Sequence, residues 1–142
     1  MEATGEIEAL ASLASFSSEH PEFTMPSIET YGPLFDATAL GHPLFPGDRR
    51  VTNDIRLDGT LRLLVVSGSK MSRKSTMMRS VGVGAVLALA GGPVCAQKLS
   101  IAPTAAGASI RIADSLQENA SRFYAEILRI RQEVRAVVTA PV

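Results

Sequence analysis

The sequence predicts an α/β fold, in which a sheet is flanked by helices, and three observations support this prediction. The mostly apolar run Leu61–Val66 has the length of a buried strand. The stretch Val51–Leu57 alternates between apolar and polar residues, as a half-buried strand does. Apolar residues also recur at helical spacing near both ends of the chain. With 142 residues, the chain is long enough to form one domain with a buried core.

The composition argues against several classes of function. Lys and Arg residues (14) balance Asp and Glu residues (14), so no overall field indicates a nucleic-acid-binding chain. Aromatic residues make up only 5% of the chain, which argues against a base-stacking surface. The single cysteine, Cys95, excludes an internal disulfide and a cysteine-built metal site, and His20 and His42 lack ligand spacing. We expect a soluble, cytoplasmic protein with no membrane association.

The first part of the chain predicts a helix followed by irregular structure. Residues 6–18 have helical apolar spacing, and their first turn holds acidic residues, which the helix dipole favours. Two prolines end this helix, so residues 1–26 are expected to form a helical lead-in before a domain of residues 27–142. Glycine and proline turn signals predict irregular structure over residues 27–50. His42 lies in this stretch without a visible catalytic partner, so a structural role is expected for it.

A hairpin is predicted next. The pair Asp58-Gly59 is a strong tight-turn signal between the two predicted strands, Val51–Leu57 and Leu61–Val66. The second strand is therefore expected to pair back onto the first or to lie beside it in the sheet.

The chain then carries a pattern typical of a phosphate-binding loop. A strand, a glycine turn, a Lys-Ser pair and a helix follow one another, as in the motif G-x-x-x-x-G-K-[ST]. Gly68, Lys74 and Ser75 fill this motif, and Arg73 stands where its second glycine is expected. Lys74 would neutralise phosphates, Ser75 would offer a hydroxyl to Mg²⁺, and the helix would add its N-terminal dipole.

The remaining elements are a helix, short strands and a final helix. Residues 76–90 predict a helix in which Gly82 and Gly84 each cost about 1 kcal/mol, so close packing against a neighbour is expected. Short strands are expected at residues 99–101 and 110–112, and a helix with regularly spaced apolar residues from Ser121 to Val137. Residues 71–97 also have the pattern of a secretory signal, which would act only if translation began at Met71.

Four segments of the chain resemble the ATPase domain of MutS-type DNA mismatch repair proteins. Within the loop, the family pattern is Gly-x-Asn-Met-x-Gly-Lys-Ser-Thr, and Met71, Lys74, Ser75 and Thr76 match it. Lys70 and Arg73 depart from it. The four segments, in the family's order, are Gly41-His42-Pro43-Leu44, Val51-Thr52-Asn53-Asp54-Ile55, Val65 to Thr76, and Ser121-Arg122-Phe123-Tyr124-Ala125-Glu126.

The resemblance implies an ABC-type P-loop ATPase fold that dimerises with itself or a family partner and binds ATP and Mg²⁺. It implies that Val51 and Asn53 flank the adenine, that Ser75 binds Mg²⁺, and that Ser121 reaches the nucleotide of a partner. Mismatched double-stranded DNA would be bound by other regions of the family's proteins. The residues that would hold the phosphates are Gly68, Ser69, Lys70, Met71, Ser72, Arg73, Lys74, Ser75 and Thr76.

Nucleotide hydrolysis is not expected from these residues alone. It requires a second acidic motif, and no apolar run followed by Asp-Glu occurs after residue 76. The chain is therefore expected to be an incomplete MutS-type ATPase domain that lacks the Walker B half, with weak activity or none. Two alternatives remain: a non-catalytic interaction module that keeps the dimer surface of the ATPase, and the secreted peptide beginning at Met71.

Overall fold

A computed structural model describes residues 2–67, residues 73–108, and residues 124, 127, 128 and 130–132. The chain divides into two compact units, Met1–Pro103 and Thr104–Val142. The sheet and the candidate site belong to the first unit.

Within the described residues, the first unit holds two helices and one sheet of four strands. The elements in chain order are α1 (Glu2–Glu19), β1 (Ser27–Ile28), β2 (Phe35–Leu40), β3 (Asn53–Leu57), α2 (Lys74–Leu89) and β4 (Lys98–Ile101). The strand order across the sheet is β1-β4-β2-β3. Strand β1 is parallel to β4, whereas β2 is antiparallel to both β3 and β4. This mixed sheet with flanking helices confirms the predicted α/β class.

The core lies along the two central strands, β2 and β4. Phe35 pairs with Ile101 and Ala37 pairs with Leu99, and all four side chains are buried. Leu99 and Ile101 are almost completely removed from water, which contributes about 1.5–3 kcal/mol for each side chain. The centre of the sheet is therefore the most apolar part of the first unit.

Helix α2 packs on the sheet through small residues. Its buried residues are Ser80, Gly84, Ala85 and Ala88. A Cβ atom added at Gly84 would lie 3.3 Å from Cδ1 of Leu40 on β2, whereas one added at Gly82 would meet nothing within 4 Å. The expected close packing is thus confirmed at one of the two helical glycines. Among the described residues, no helix is long and apolar enough to cross a membrane.

Strand β2 contains a β-bulge beside the loop that follows it. Ala37 pairs with Ile55 and Leu40 with Asn53, so two residues of β2 face the single residue Asp54. The second of these two, Ala39, has a φ of 51°, a left-handed conformation that is strained for alanine. Its N–H donates to Oδ1 of Asp54 at 2.8 Å, which helps to hold this conformation.

The predicted strand Leu61–Val66 is wrong. These residues have no strand structure, and Leu63 and Val65 are 75% and 78% exposed. The predicted hairpin with residues 51–57 is therefore also wrong, and β3 pairs with β2 as an edge strand of the described sheet. The turn itself is present: the Asp58 N–H donates to the carbonyl oxygen of Leu61 at 3.0 Å. The apolar residues that follow this turn, 61–66, do not pair with any strand of the described sheet.

The stretch 27–50, predicted to be irregular, contains β1 and the central strand β2. The bulge explains why β2 is hard to recognise, because the extra residue breaks the alternation between Ala37 and Leu40. The predicted helices at residues 6–18 and 76–90 and the strand at 99–101 are confirmed, each shifted by no more than a few residues.

In the second unit, the described residues Tyr124, Ile127, Leu128, Ile130, Arg131 and Gln132 are helical, in agreement with the helix predicted there. The ends of that helix and the strand predicted at residues 110–112 lie outside the described residues.

Candidate functional site

A cleft of about 380 Å³ lies where the loop between β2 and β3 meets the first turn of α2. This loop is held in place by the bulge of β2 at one end and by the start of β3 at the other. Eight described residues line the cleft: His42, Phe45, Asp48, Arg49, Arg50, Val51, Arg73 and Thr76.

The start of α2 brings positive charge to the wall of the cleft. Arg73 occupies the N-cap position, where its side chain makes no capping hydrogen bond, and the first turn holds no acidic residue. The N–H groups of Ser75 and Thr76 have no acceptor within the helix, as in the first turn of any α-helix. The helix dipole makes this end partly positive, so it repels the positive charges of Arg73 and Lys74. A nearby anion would offset this repulsion.

Three arginines and one aspartate line the cleft, but they have different surroundings. Arg49 and Asp48 are both exposed, and their side chains lie 3.8 Å apart. Arg50 is mostly buried: its Nε donates to the carbonyl oxygen of Phe45 at 3.0 Å. Within the described residues, no carboxylate forms an ion pair with Arg73. Among the described residues, Arg73 is therefore the arginine of this cleft that has no ion-pair partner.

Arg50 connects the cleft to the rest of the fold. Its Nη1 lies 3.9 Å from Oε1 of Glu22, and its guanidinium carbon lies 5.0 Å from the ring centre of Phe23. A Cβ atom added at Gly41 would come within 2.7 Å of Cδ of Arg50 and 3.3 Å of Sγ of Cys95. Gly41, which opens the Gly-His-Pro segment, thus allows Arg50 to pass close to the backbone.

His42 has an ordered position in the same loop. Its Nδ1 accepts a hydrogen bond from the N–H of Leu44 at 3.3 Å, and its ring meets that of Phe45 edge to face at 5.6 Å. Nearby, burial raises the pKa of the Cys95 thiol, so this cysteine is not an activated nucleophile. These contacts agree with the structural role expected for His42.

The structure brings some of the predicted site residues together. Val51, Arg73 and Thr76 line one cleft although Val51 is distant from the other two in sequence. Asn53 opens β3 opposite Leu40 and does not line the cleft, and neither do Lys74 and Ser75. The other predicted site residues, Gly68, Ser69, Lys70, Met71, Ser72 and Ser121, lie outside the described residues.

Sequence reasoning missed the contribution of Phe45, Asp48, Arg49 and Arg50 to the cleft. These residues surround Pro46-Gly47, a pair that sequence analysis interprets only as a turn. The two consecutive arginines directly before Val51 were the available signal, because cations beside a predicted adenine contact favour a phosphate-bearing ligand.

The fit of a phosphate and of Mg²⁺ can be tested on this lining. The described lining is compatible with a phosphate, because Arg73 and Thr76, at the N-terminus of α2, both border the cleft. Mg²⁺ prefers oxygen ligands, and the lining offers only the hydroxyl of Thr76 and the carboxylate of Asp48 beside Arg49. No group of three His, Cys, Asp or Glu residues among the described residues could hold a metal ion. The described part of the lining therefore offers few protein ligands for Mg²⁺, and phosphate oxygens would contribute to its coordination.

The chain is similar in sequence to proteins of one family. It is 33% identical to the endonuclease MutS2 of Thermus thermophilus over 103 residues, which cover 72% of this chain and 14% of that protein. It is 35% identical to the DNA mismatch repair protein MutS of Myxococcus xanthus over 138 residues, covering 89% of this chain and 15% of that protein. Over 114 residues it is 32% identical to the DNA mismatch repair protein MSH6 of Arabidopsis thaliana, covering 71% and 8%, respectively. No family model matches the chain.

These relatives share one family name and align with most of this chain. The chain therefore belongs to the MutS family. It spans about 15% or less of the length of the relatives described above.

Proposed function

We propose that this chain is a nucleotide-binding segment of a MutS-type mismatch repair protein, with the ABC-type P-loop fold, and that its cleft binds ATP. One observation carries the proposal: the fold places Val51, on the predicted adenine side, beside Arg73 and Thr76 of the predicted phosphate loop. Family membership adds support, because three of the four segments that resemble the family contribute residues to the described lining of the cleft, namely His42, Val51, and Arg73 with Thr76.

The described lining of the cleft includes both kinds of chemistry that a nucleotide requires. Phe45 and Val51 offer apolar surface to the base, and the first turn of α2 offers N–H groups and positive charge to the phosphates. Loop residues 68–72 would complete the phosphate contacts, and the Ser75 hydroxyl would meet Mg²⁺ bound to the phosphate oxygens. Bound Mg²⁺ neutralises phosphate charge and fixes its geometry.

The proposal extends to partners through the family. A homodimer or a dimer with another MutS-family chain would let Ser121 contact the nucleotide of its partner. Mismatched double-stranded DNA would be bound by regions of the family's proteins that these residues do not include.

Titration with a fluorescent ATP analogue tests this function. We expect saturable binding by the natural chain in the presence of Mg²⁺, and equal or tighter binding by Arg73→Gly, which restores the motif. Arg79→Gln, an exposed change on the same helix outside the cleft, serves as the control and should leave binding unchanged. An absence of saturable binding by both the natural chain and Arg73→Gly, with both folded, would overturn the proposal.

A second candidate function, a non-catalytic interaction module, is favoured by the exposed apolar residues after β3. Leu61, Leu63, Leu64 and Val65 are all exposed, and such a run is typical of a surface that another chain covers. This function predicts a stable complex with a complete MutS-family protein that does not require ATP. The double change Leu63→Ser and Val65→Ser should weaken the complex without unfolding the sheet, and a complex that forms only with ATP would contradict it.

A further inference from the structure

We infer that Arg73 acts as a built-in cation of the cleft, so that nucleotide phosphates bind here without requiring a divalent metal ion. This inference rests on the proposed nucleotide binding and adds a statement about its metal dependence. The predicted phosphate loop carries this arginine at a position where the motif has a glycine, which has no charge.

The position of Arg73 is the first step of the argument. Arg73 lines the cleft together with Thr76, one helical turn away at the start of α2. A guanidinium at this point can donate two parallel hydrogen bonds to a phosphate. The backbone dipole of α2 adds to this charge at the same end.

The surroundings of Arg73 are the second step. The cleft's other arginines have partners: Arg50 is fixed by Phe45 and lies near Glu22, and Arg49 lies near Asp48. Asp48 lines the same cleft, but among the described residues no carboxylate forms an ion pair with Arg73. An anion is therefore the ligand that this part of the cleft accommodates best.

The shortage of metal ligands is the third step. Asp48 is the one carboxylate in the described lining of the cleft, and it is exposed beside Arg49. A site whose one carboxylate is already close to an arginine would hold Mg²⁺ mainly through the phosphates of its ligand. In such a site, a fixed cation can supply the neutralising charge when the metal ion is removed. The lining thus fits a phosphate better than it fits a metal ion.

Binding of ATP with and without EDTA tests this inference on the natural chain, on Arg73→Gly and on Arg73→Lys. We expect removal of Mg²⁺ to change the dissociation constant of the natural chain by less than about threefold, and that of Arg73→Gly by about tenfold or more. Arg73→Lys keeps the charge without the planar fork, so an intermediate dependence on Mg²⁺ is expected. The control Arg79→Gln should behave like the natural chain.

The outcomes separate this inference from the proposed function. Saturable binding that depends on Mg²⁺ to the same extent in the natural chain and in Arg73→Gly would overturn the role of Arg73 and leave nucleotide binding intact. Absence of binding in every variant, with circular dichroism showing that each is folded, would overturn the proposed function and this inference with it. Tighter binding at higher salt would also contradict a charge-based role, because salt weakens interactions between exposed charges.

Discussion

Two apolar stretches of this chain have opposite structures, although their sequences alone suggest the same one. Strand β4 (Lys98–Ile101) is paired on both sides and buried at three of its four residues, whereas residues 61–66 form no strand and are largely exposed. The second stretch is the longer and the more apolar of the two. A buried strand therefore requires neighbours that can hydrogen-bond to it, and apolar composition does not provide them.

The largest expected effect tests this difference directly with matched substitutions. Leu99→Ala should lower the free energy of unfolding by about 2–5 kcal/mol, because Leu99 is 1% exposed and its removal leaves a cavity in the core. Leu63→Ala, the same change at a 75% exposed position, should alter it by no more than about 0.5 kcal/mol. Urea denaturation measures both. Equal losses for the two variants would show that residues 61–66 are packed in solution.

The second prediction concerns how closely the loop after β2 is packed compared with the sheet. Gly41→Ala should destabilise the fold by about 1–3 kcal/mol, because the new methyl group would lie 2.7 Å from Cδ of Arg50. Gly47→Ala, in the same loop, adds a methyl group that meets nothing within 4 Å and should be close to neutral. Thermal unfolding measured side by side would distinguish the two. A neutral Gly41→Ala would mean that Arg50 moves away at little cost.

The third prediction concerns the bulge that separates the regular part of β2 from the cleft. Asp54→Ala should cost about 1 kcal/mol, because the Ala39 N–H loses its acceptor at 2.8 Å. Asp54→Asn keeps an oxygen at this position and should recover most of the loss. Denaturant titration provides the free energies. Equal losses in both variants would indicate that the charge of Asp54, rather than its hydrogen bond, holds the bulge.

The smallest expected effect lies in the turn between β3 and the exposed stretch. Hydrogen bonds from the N–H groups of Leu61 and Thr60, and then from the side chain of Arg56, lower the pKa of Asp58. Because this pKa is lower in the folded state, Asp58 stabilises the fold above about pH 4, its unfolded pKa. This contribution is lost as the pH falls further through the folded value.

Denaturation between about pH 5 and pH 2 measures this effect, in the range where an aspartate with a lowered pKa titrates. Asp58→Asn cannot titrate, so its stability should fall less over this range than that of the natural chain. If the two chains lost stability in parallel, Asp58 would make no pH-dependent contribution, and the turn would be held by its backbone alone.

Local sequence determined several features of this protein without tertiary information. Helical apolar spacing identified α1, and the phosphate-loop pattern identified the start of α2. Alternation identified β3, and the pair Asp58-Gly59 identified the turn after it. The motif segments identified the family, since they depend on residue types at short spacing. They also indicated that Val51 and Arg73 belong to one site, which the cleft now places together.

Only the tertiary structure decided which segments pair and which side chains reach the cleft. The bulge at Ala39 interrupts the alternation of β2, and residues 61–66 remain outside the sheet although β3 is an edge strand of the described sheet. Arg50 became part of the site through contacts with Phe23 and Phe45 that no spacing rule contains. Strand pairing and such contacts are non-local, and a single sequence carries no direct signal for them.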